Sequence, residues 1–510
     1  MAEDLSKTHV SQKQKDAEHL AQFGYKQELL REMGGFSNFA ISFSIISILT
    51  GLISMFGYGI SLVGGAAYWT WVVVAFFQLF NAMAMGEIAS SFPLAGGIYQ
   101  WARHLGNAHW GWWVGWINLM AWWAVTVAID FSLGTLLAGS GWFGLQMTTP
   151  TIVTITLIIM TIHMVMNIFG IKLVAWFNDF SVWVHMIGTI MLLTLLLWWG
   201  KAHPFSYILS TTTPTGDIGG LASPGFWVAF LPAILMSAWT LTAFDASADV
   251  SEETEDPQHH VPWGMVIAVV ASFIFGSFVL FGLILALPEM DQIPKIMETT
   301  SLATYIIQKV MGSTWGLIML AIIALAQFAC GLSSMTVYQR VIFSLARDGN
   351  LPFSSRLKAV NKNGAPYMAT IVGTICMAVL TIWASVLSTV TSIATLGFYF
   401  GYFIVIIIAV RAKLKGKWTE LGPWNLGKHG IWIAVVAILW NLYISIAVVL
   451  PPNFITFKIF AGIMVALTIY YFTYMRGKLQ LQHELLSADE LEKLERAAKL
   501  AAGKTRGPSA

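Results

Sequence analysis

Apolar residues run along this chain in long blocks rather than in alternation with polar ones. Stretches near 37–62, 66–90, 110–138, 151–170, 174–199, 226–248, 262–288, 314–338, 366–386, 391–410, 430–450 and 454–474 are poor in charge. Each meets or approaches the ~20 residues with which a helix crosses the hydrocarbon core of a bilayer. The run from Tyr367 to Val410 holds no charged residue and is too long for one crossing, so it divides near Leu387. A membrane-spanning barrel would show short segments alternating apolar and polar, whereas continuous runs leave closed helices as the way to satisfy the backbone in lipid. The pattern predicts an all-α polytopic membrane protein of about twelve spans.

Two spans depart from a plain apolar helix. The first reads FSIISILTGLISMFGYGISLVGG from Phe43 to Gly65, with Gly51, Gly57 and Gly59 interrupting it. The sixth reads MSAWTLTAFDASADV from Met236 to Val250, polar at a depth where Leu and Val are cheapest. Small residues allow two helices to approach closely. Interrupted helices at corresponding places, five spans apart, also point to a midplane site between inverted repeats. There the amides of one break receive a carboxylate and the carbonyls of the other an ammonium group.

Composition agrees with the pattern: 57% of residues are hydrophobic and 11% charged, and the mean hydropathy is +0.69, well outside the soluble norm. Basic residues favour the cytoplasmic side. With the N-terminus inside, all of the 28 Lys and Arg except Lys201, Lys295, Lys309 and Lys458 fall there. Both termini are then cytoplasmic, in a multi-pass protein of the cell membrane. The polar start, including SQKQKDAEH from Ser11 to His19, reads as a cytosolic tail without the apolar core of a signal peptide. Residues 484–499 (ELLSADELEKLERAAK) read as a charge-paired cytosolic helix or a solvated tail. A formal charge of +2 without a basic domain gives no reason to expect nucleic acid. Cys330 and Cys376 both fall inside spans and receive no redox or metal role.

Ionisable groups inside spans are expensive and point to function. Asp245 lies in the sixth span. Asp130 lies in the third, with Thr126 four residues before it on the same helix face. Asp130 either holds a cationic group or bonds a neighbouring helix. His185, in the fifth span, either carries a proton or is a neutral link between helices. Ser333 and Ser334 either offer hydroxyls to a sodium ion or allow close packing.

Three ordered segments carry a family resemblance: EIASSFPLAGGIYQWA from Glu87, TLTAFDASADVSEETEDPQHHVP from Thr240 and RVIFSLARDGNLP from Arg340. From about Gly24 to Arg476 the chain resembles the amino-acid/polyamine/organocation superfamily, and within it the amino acid/choline transporter family, which includes GABA and choline permeases. The resemblance implies a five-plus-five inverted-repeat fold with two added helices. A tail over 1–33 would precede repeats over 34–200 and 201–411, with the last two helices over 412–474 and a second tail over 475–510. It further implies broken helices 1 and 6 and alternating access by rocking.

Position by position, the resemblance places the helix 1 break at Thr50, Gly51 and Leu52, which would receive a substrate carboxylate, and turns Thr126 towards the substrate. Trp239 falls where an aromatic ring closes over substrate, and Ala243 where many relatives have glycine. Thr240 and Thr242 belong to the same binding segment. Asp245 matches an acidic coupling or gating residue. His185 falls where proton-coupled relatives place a lysine in lieu of sodium, so protons are expected over sodium. Glu252 and Glu253 are read as partners of basic residues such as Arg340 or Arg347 in an inner gate, in preference to a metal site.

The expected function is a secondary transporter of an amino acid or related amine such as GABA, using protons and no cofactor. A choline- or polyamine-like cation, or exchange of two solutes, would suit the same cavity differently, a quaternary ammonium preferring an aromatic cage such as Trp239, Trp123 and Tyr399. A nutrient sensor with a permease fold is the reading from another class. For an enzyme the chain offers neither HExxH nor GxSxG.

Overall fold

A computed structural model describes residues 2–383 and 387–479. The charge-paired segment read at 484–499 lies outside these residues, as does the join at 384–386 between the ninth and tenth spans. Among the described residues nine helical stretches are long and apolar enough to cross a membrane, and two shorter apolar helices, Pro224–Thr240 and Tyr367–Ile382, accompany them. One long stretch, Gly35–Ser91, turns back on itself at Gly64–Ala66, and twelve crossings result.

Helix 1 comprises Gly35–Ile46 and Ile48–Val63, helix 2 Ala67–Ser91, helix 3 Ala108–Gly139 and helix 4 Thr149–Ile168. Helix 5 is Ile171–Trp199, helix 6 Pro224–Thr240 continued by the turn Ala246–Asp249, and helix 7 Pro257–Leu285. Helix 8 forms the longer part of Leu302–Arg347, beyond a kink at Gly312, whose φ of 67° frees the short arm before it. Helices 9 to 12 are Tyr367–Trp383, Leu387–Leu414, Gly430–Ala447 and Phe454–Tyr470. The spans read from apolar runs thus recur with small shifts at their ends. The polar start is a helix, Ala2–Gln22, whose Asp16 carboxylate accepts the Asp256 N–H at 3.0 Å.

Helix packing repeats with an offset of five. Helix 1 lies against helix 7 as helix 6 lies against helix 2, and helix 3 lies against helix 10 as helix 8 lies against helix 5. Helices 1 and 6, 2 and 7, 3 and 8, and 4 and 9 pair with each other. The centre of this arrangement is buried: helix 3 and the Gly35–Ser91 stretch are largely enclosed, whereas helix 12 is mostly exposed and suited to lipid. Trp71, Trp101, Trp112 and Trp122 are fully buried, so not every tryptophan serves the membrane interface.

Candidate functional site

Helix 1 breaks at Ser47, where φ and ψ are 26° and 86°. That is three residues before the position expected at Thr50, Gly51 and Leu52, which instead open the second half-helix. The Ser47 carbonyl accepts the N–H groups of Thr50 and Gly51, both at 2.8 Å. The Ser47 hydroxyl bonds that of Thr50 and lies 2.8 Å from His185 Nε2. Gly51 has its own reason to be glycine: a Cβ there would overlap the Thr240 side chain. The bare backbone of helix 1 therefore touches helix 6 beside both breaks, which is the packing reading of that glycine.

Helix 6 loses its geometry between Thr240 and Ala246, as the polar sequence there predicted. Ala243 takes a left-handed φ of 60°, a conformation in which glycine would be less strained. Neighbouring side chains take up the released backbone groups. Gln78 of helix 2 donates to the Leu241 carbonyl at 2.9 Å, and Ser42 of helix 1 to that of Phe244 at 2.7 Å. Tyr402 of helix 10 accepts the Ala243 N–H at 3.2 Å and donates to Asp245 Oδ1.

The hydroxyls of Thr126, Thr240 and Thr242 each donate at 2.8 Å to a carbonyl one turn back, on Trp122, Met236 and Trp239. A hydroxyl whose proton is engaged can only accept, so these three suit an ammonium group better than a carboxylate. Trp239 is buried, and its indole N–H has no hydrogen-bond partner among the described residues.

Asp130 does not stand alone. Its Oδ1 lies 3.3 Å from Nδ1 of His163 on helix 4, both side chains being fully buried, and the pair presses on bare Gly331 of helix 8, where a Cβ would overlap Asp130. Next along that helix, Cys330 Sγ lies 3.3 Å from the Ile45 carbonyl just before the helix 1 break. Ser333 donates to Asn178 of helix 5 at 2.7 Å, a link between helices 5 and 8. Sequence reasoning passed over Ser47, His163 and Tyr402. His163 carried a signal, being ionisable within an apolar run; an isolated serine or tyrosine carried none.

One face of the protein, which also holds the described N-terminal helix, is closed by charge pairs. Arg340 reaches Glu253 through Nε at 2.9 Å and Nη2 at 2.8 Å, and Arg347 reaches both oxygens of Glu252 at 2.9 Å. Glu252 and Glu253 thus pair with the two basic residues expected of them. The Arg347 guanidinium also lies 4.0 Å over the Tyr25 ring, and the Tyr25 hydroxyl donates to Asp348 at 3.0 Å. Burial and the Asp348 carboxylate raise the pKa of the Tyr25 hydroxyl well above its usual range, so it stays protonated and able to donate. In the opposite half a cavity of about 40 Å³ lies among Ser54, Ser132, Thr135, Ser301, Thr304 and Gln327, room for about one or two waters. A cavity of about 1010 Å³ among Trp69, Phe77, Phe226, Trp227, Trp440 and Tyr443 is larger, but it lies among helices 2, 6 and 11, away from both breaks.

The sequence model of the amino acid permease family matches residues 33–473. The chain belongs to this family. It is accordingly a membrane transporter and not an enzyme. Relatives include amino-acid permease BAT1 of Arabidopsis thaliana, 31% identical with 85% of this chain and 88% of that protein covered. The GABA-specific permease of Saccharomyces cerevisiae is 27% identical, with 86% and 79% covered. The thiamine transporter thi9 of Schizosaccharomyces pombe is 25% identical, with 89% and 82% covered. The match spans both broken helices and the charged seal of the permease.

Proposed function

We propose that this permease carries an amino acid or a related amine such as GABA, coupled to protons, by alternating access around helices 1 and 6. The observation that carries the reading is the meeting of the two breaks: Gly51 packs on Thr240, while His185 holds the residue at which helix 1 breaks. The N-terminus of the half-helix Ile48–Val63 presents a positive dipole end for a carboxylate, the N–H groups of Thr50 and Gly51 being held by the Ser47 carbonyl. Accepting hydroxyls on Thr126, Thr240 and Thr242 serve the amino group, and Trp239 covers the site.

Asp245 and His185 are the groups through which a proton alters helices 6 and 1. We leave Asp130 out of direct substrate contact because His163 faces it. Repeats over 34–200 and 201–411 fit the five-helix offset in packing. The cytoplasmic side is assigned to the sealed face, with both termini there and the protein in the plasma membrane.

A second reading, an organic cation as substrate, gains support from the hydroxyls of Thr126, Thr240 and Thr242, whose protons are engaged on carbonyls, and from the thiamine transporter among the relatives. The deciding experiment is sodium-free uptake of labelled GABA into proteoliposomes, with and without an inward proton gradient and with unlabelled choline as competitor. Accumulation that follows the gradient supports the first reading. Failure to take up GABA, with labelled choline or thiamine taken up instead, replaces it with the second.

A further inference from the structure

Helix 6 ends on the short turn Ala246–Asp249, where a second carboxylate follows Asp245. The Asp249 N–H faces the Asp245 carbonyl at 3.3 Å, and residues four apart lie on one face of such a turn. Both side chains are fully buried. They differ in their partners: Asp245 Oδ1 receives the Tyr402 hydroxyl while its Oδ2 has no partner, and neither oxygen of Asp249 has a hydrogen-bond partner among the described residues. Asp249 Oδ1 rests against the first residue of the helix Gly97–Leu105, 2.9 Å from where a Cβ on Gly97 would stand, and accepts no hydrogen bond from its amides.

The charged and titratable groups on the packed elements are engaged elsewhere. Helix 8 sends Arg340 to Glu253 and Arg347 to Glu252. The helix Gly97–Leu105, between helices 2 and 3, sends Arg103 and Tyr99 to Asp348 and turns His104 back to the Gln100 carbonyl. Helix 7 carries His260, bonded to the Glu255 carbonyl, and His259, bonded to Asp256. The first half of helix 1 brings only the neutral Asn38 and Ser42. A carboxylate buried without a cation or a hydrogen-bond donor is strongly disfavoured and takes up a proton instead.

We propose that Asp249 is held as a neutral carboxylic acid while the face is sealed, and that it is the group whose proton is released there when the seal opens. The inference deepens, and for its carrier role rests on, the proton-coupled reading. On opening, Glu252 and Glu253 part from their arginines, water reaches the turn, and the Asp249 O–H bond breaks with the proton passing to water. The resulting carboxylate is solvated until a proton from the opposite side restores the acid. Asp249 lies two residues before Ser251–Glu253, which contains both acidic partners of the seal, so opening and exposure of Asp249 are one movement.

The test is infrared spectroscopy of the purified full-length protein, reading the carbonyl band of a protonated carboxyl at neutral pH after labelling with 13C-aspartate. The expected result is an isotope-shifted band that is lost in D249N and persists in D245N. Lack of an aspartic acid band in the wild type, or a band unchanged by D249N, would overturn the proposal; in the first case no variant is needed, so poor folding of D249N does not shelter it. The carrier role is read in proteoliposomes, where D249N is expected to lose gradient-driven accumulation by tenfold or more. A D249N protein that still accumulates substrate like the wild type overturns that role. If the wild type itself ignores the gradient, the proton-coupled reading fails and the carrier role with it, while the infrared band separately decides whether Asp249 is neutral.

Discussion

His185 Nε2 lies 2.8 Å from the Ser47 hydroxyl, so helix 5 holds helix 1 at the residue where helix 1 stops being helical. The other ring nitrogen lies 3.2 Å from the Ser181 carbonyl. Nδ1 also lies 3.3 Å from the Ser181 hydroxyl; with the ring proton on Nδ1 and donated to the carbonyl, which only accepts, Nε2 accepts from Ser47. A proton added at Nε2 forces the Ser47 hydroxyl to turn and donate elsewhere, to Thr50 or to a bound ligand. Protonation on helix 5 is thereby felt at the break.

Replacing His185 by Gln, which keeps a polar terminus but cannot titrate, is expected to uncouple uptake from the proton gradient. Accumulation driven by the gradient should fall about tenfold or more, the scale of one charge-assisted hydrogen bond. Ser47→Ala should weaken the same dependence. Gradient-driven uptake by H185Q equal to that of wild type in proteoliposomes would remove His185 from coupling.

Gly51→Ala places a methyl group into the Thr240 side chain. Overpacking of this kind costs about 1–3 kcal/mol, expected here as a lower melting temperature and a large loss of uptake. Thr240→Gly in the same chain reopens the space and should restore part of the stability, though not uptake, since it also removes the Thr240 hydroxyl. A G51A protein with full stability and uptake would show that the two half-helices do not meet as described.

Asp130 and His163 share one buried contact, so losing one partner should cost more than losing both. Asp130→Asn and His163→Gln are each expected to lower stability, and the double variant to lose less than the sum, with a coupling of about 0.5–3 kcal/mol in a double-mutant cycle. The apparent affinity for substrate should change little. A selective rise in KM for cationic substrates in D130N, with stability intact, would return Asp130 to the substrate site.

The twelve crossings were legible because apolar length alone marks a span, and the helix 6 break because DASAD is costly in lipid. The helix 1 break was harder. Glycine drew attention to Gly51, yet Gly51 is helical and serves contact with Thr240, whereas the distortion falls on Ser47, a residue type common in ordinary membrane helices. Partners distant in sequence were also beyond reach: Tyr402 meets Asp245 across 157 positions, and His163 meets Asp130 only because helices 3 and 4 pack side by side. The charge pairs of the seal were the exception, since the family resemblance itself pointed Glu252 and Glu253 to basic residues such as Arg340 or Arg347, and the structure pairs them.

That seal sets the last prediction. Arg340 and Glu253 are buried to within 1% exposure on both sides, and deleting one member of such a pair strands the other, at a cost of about 3–5 kcal/mol. Opening the face gives the stranded charge water, so the same variant should shift the protein towards its open form. Cys330 is a built-in reporter: it is buried, and its thiol faces the Ile45 carbonyl at the end of the first half of helix 1, the half that must move. With Cys376, which is exposed, replaced by serine, a small thiol reagent should label Cys330 slowly in the parent and several-fold faster in E253Q or R340Q. Substrate should slow labelling wherever it favours the sealed form. Unchanged labelling in both variants would mean that the Arg340–Glu253 pair fastens the fold without controlling access to the breaks.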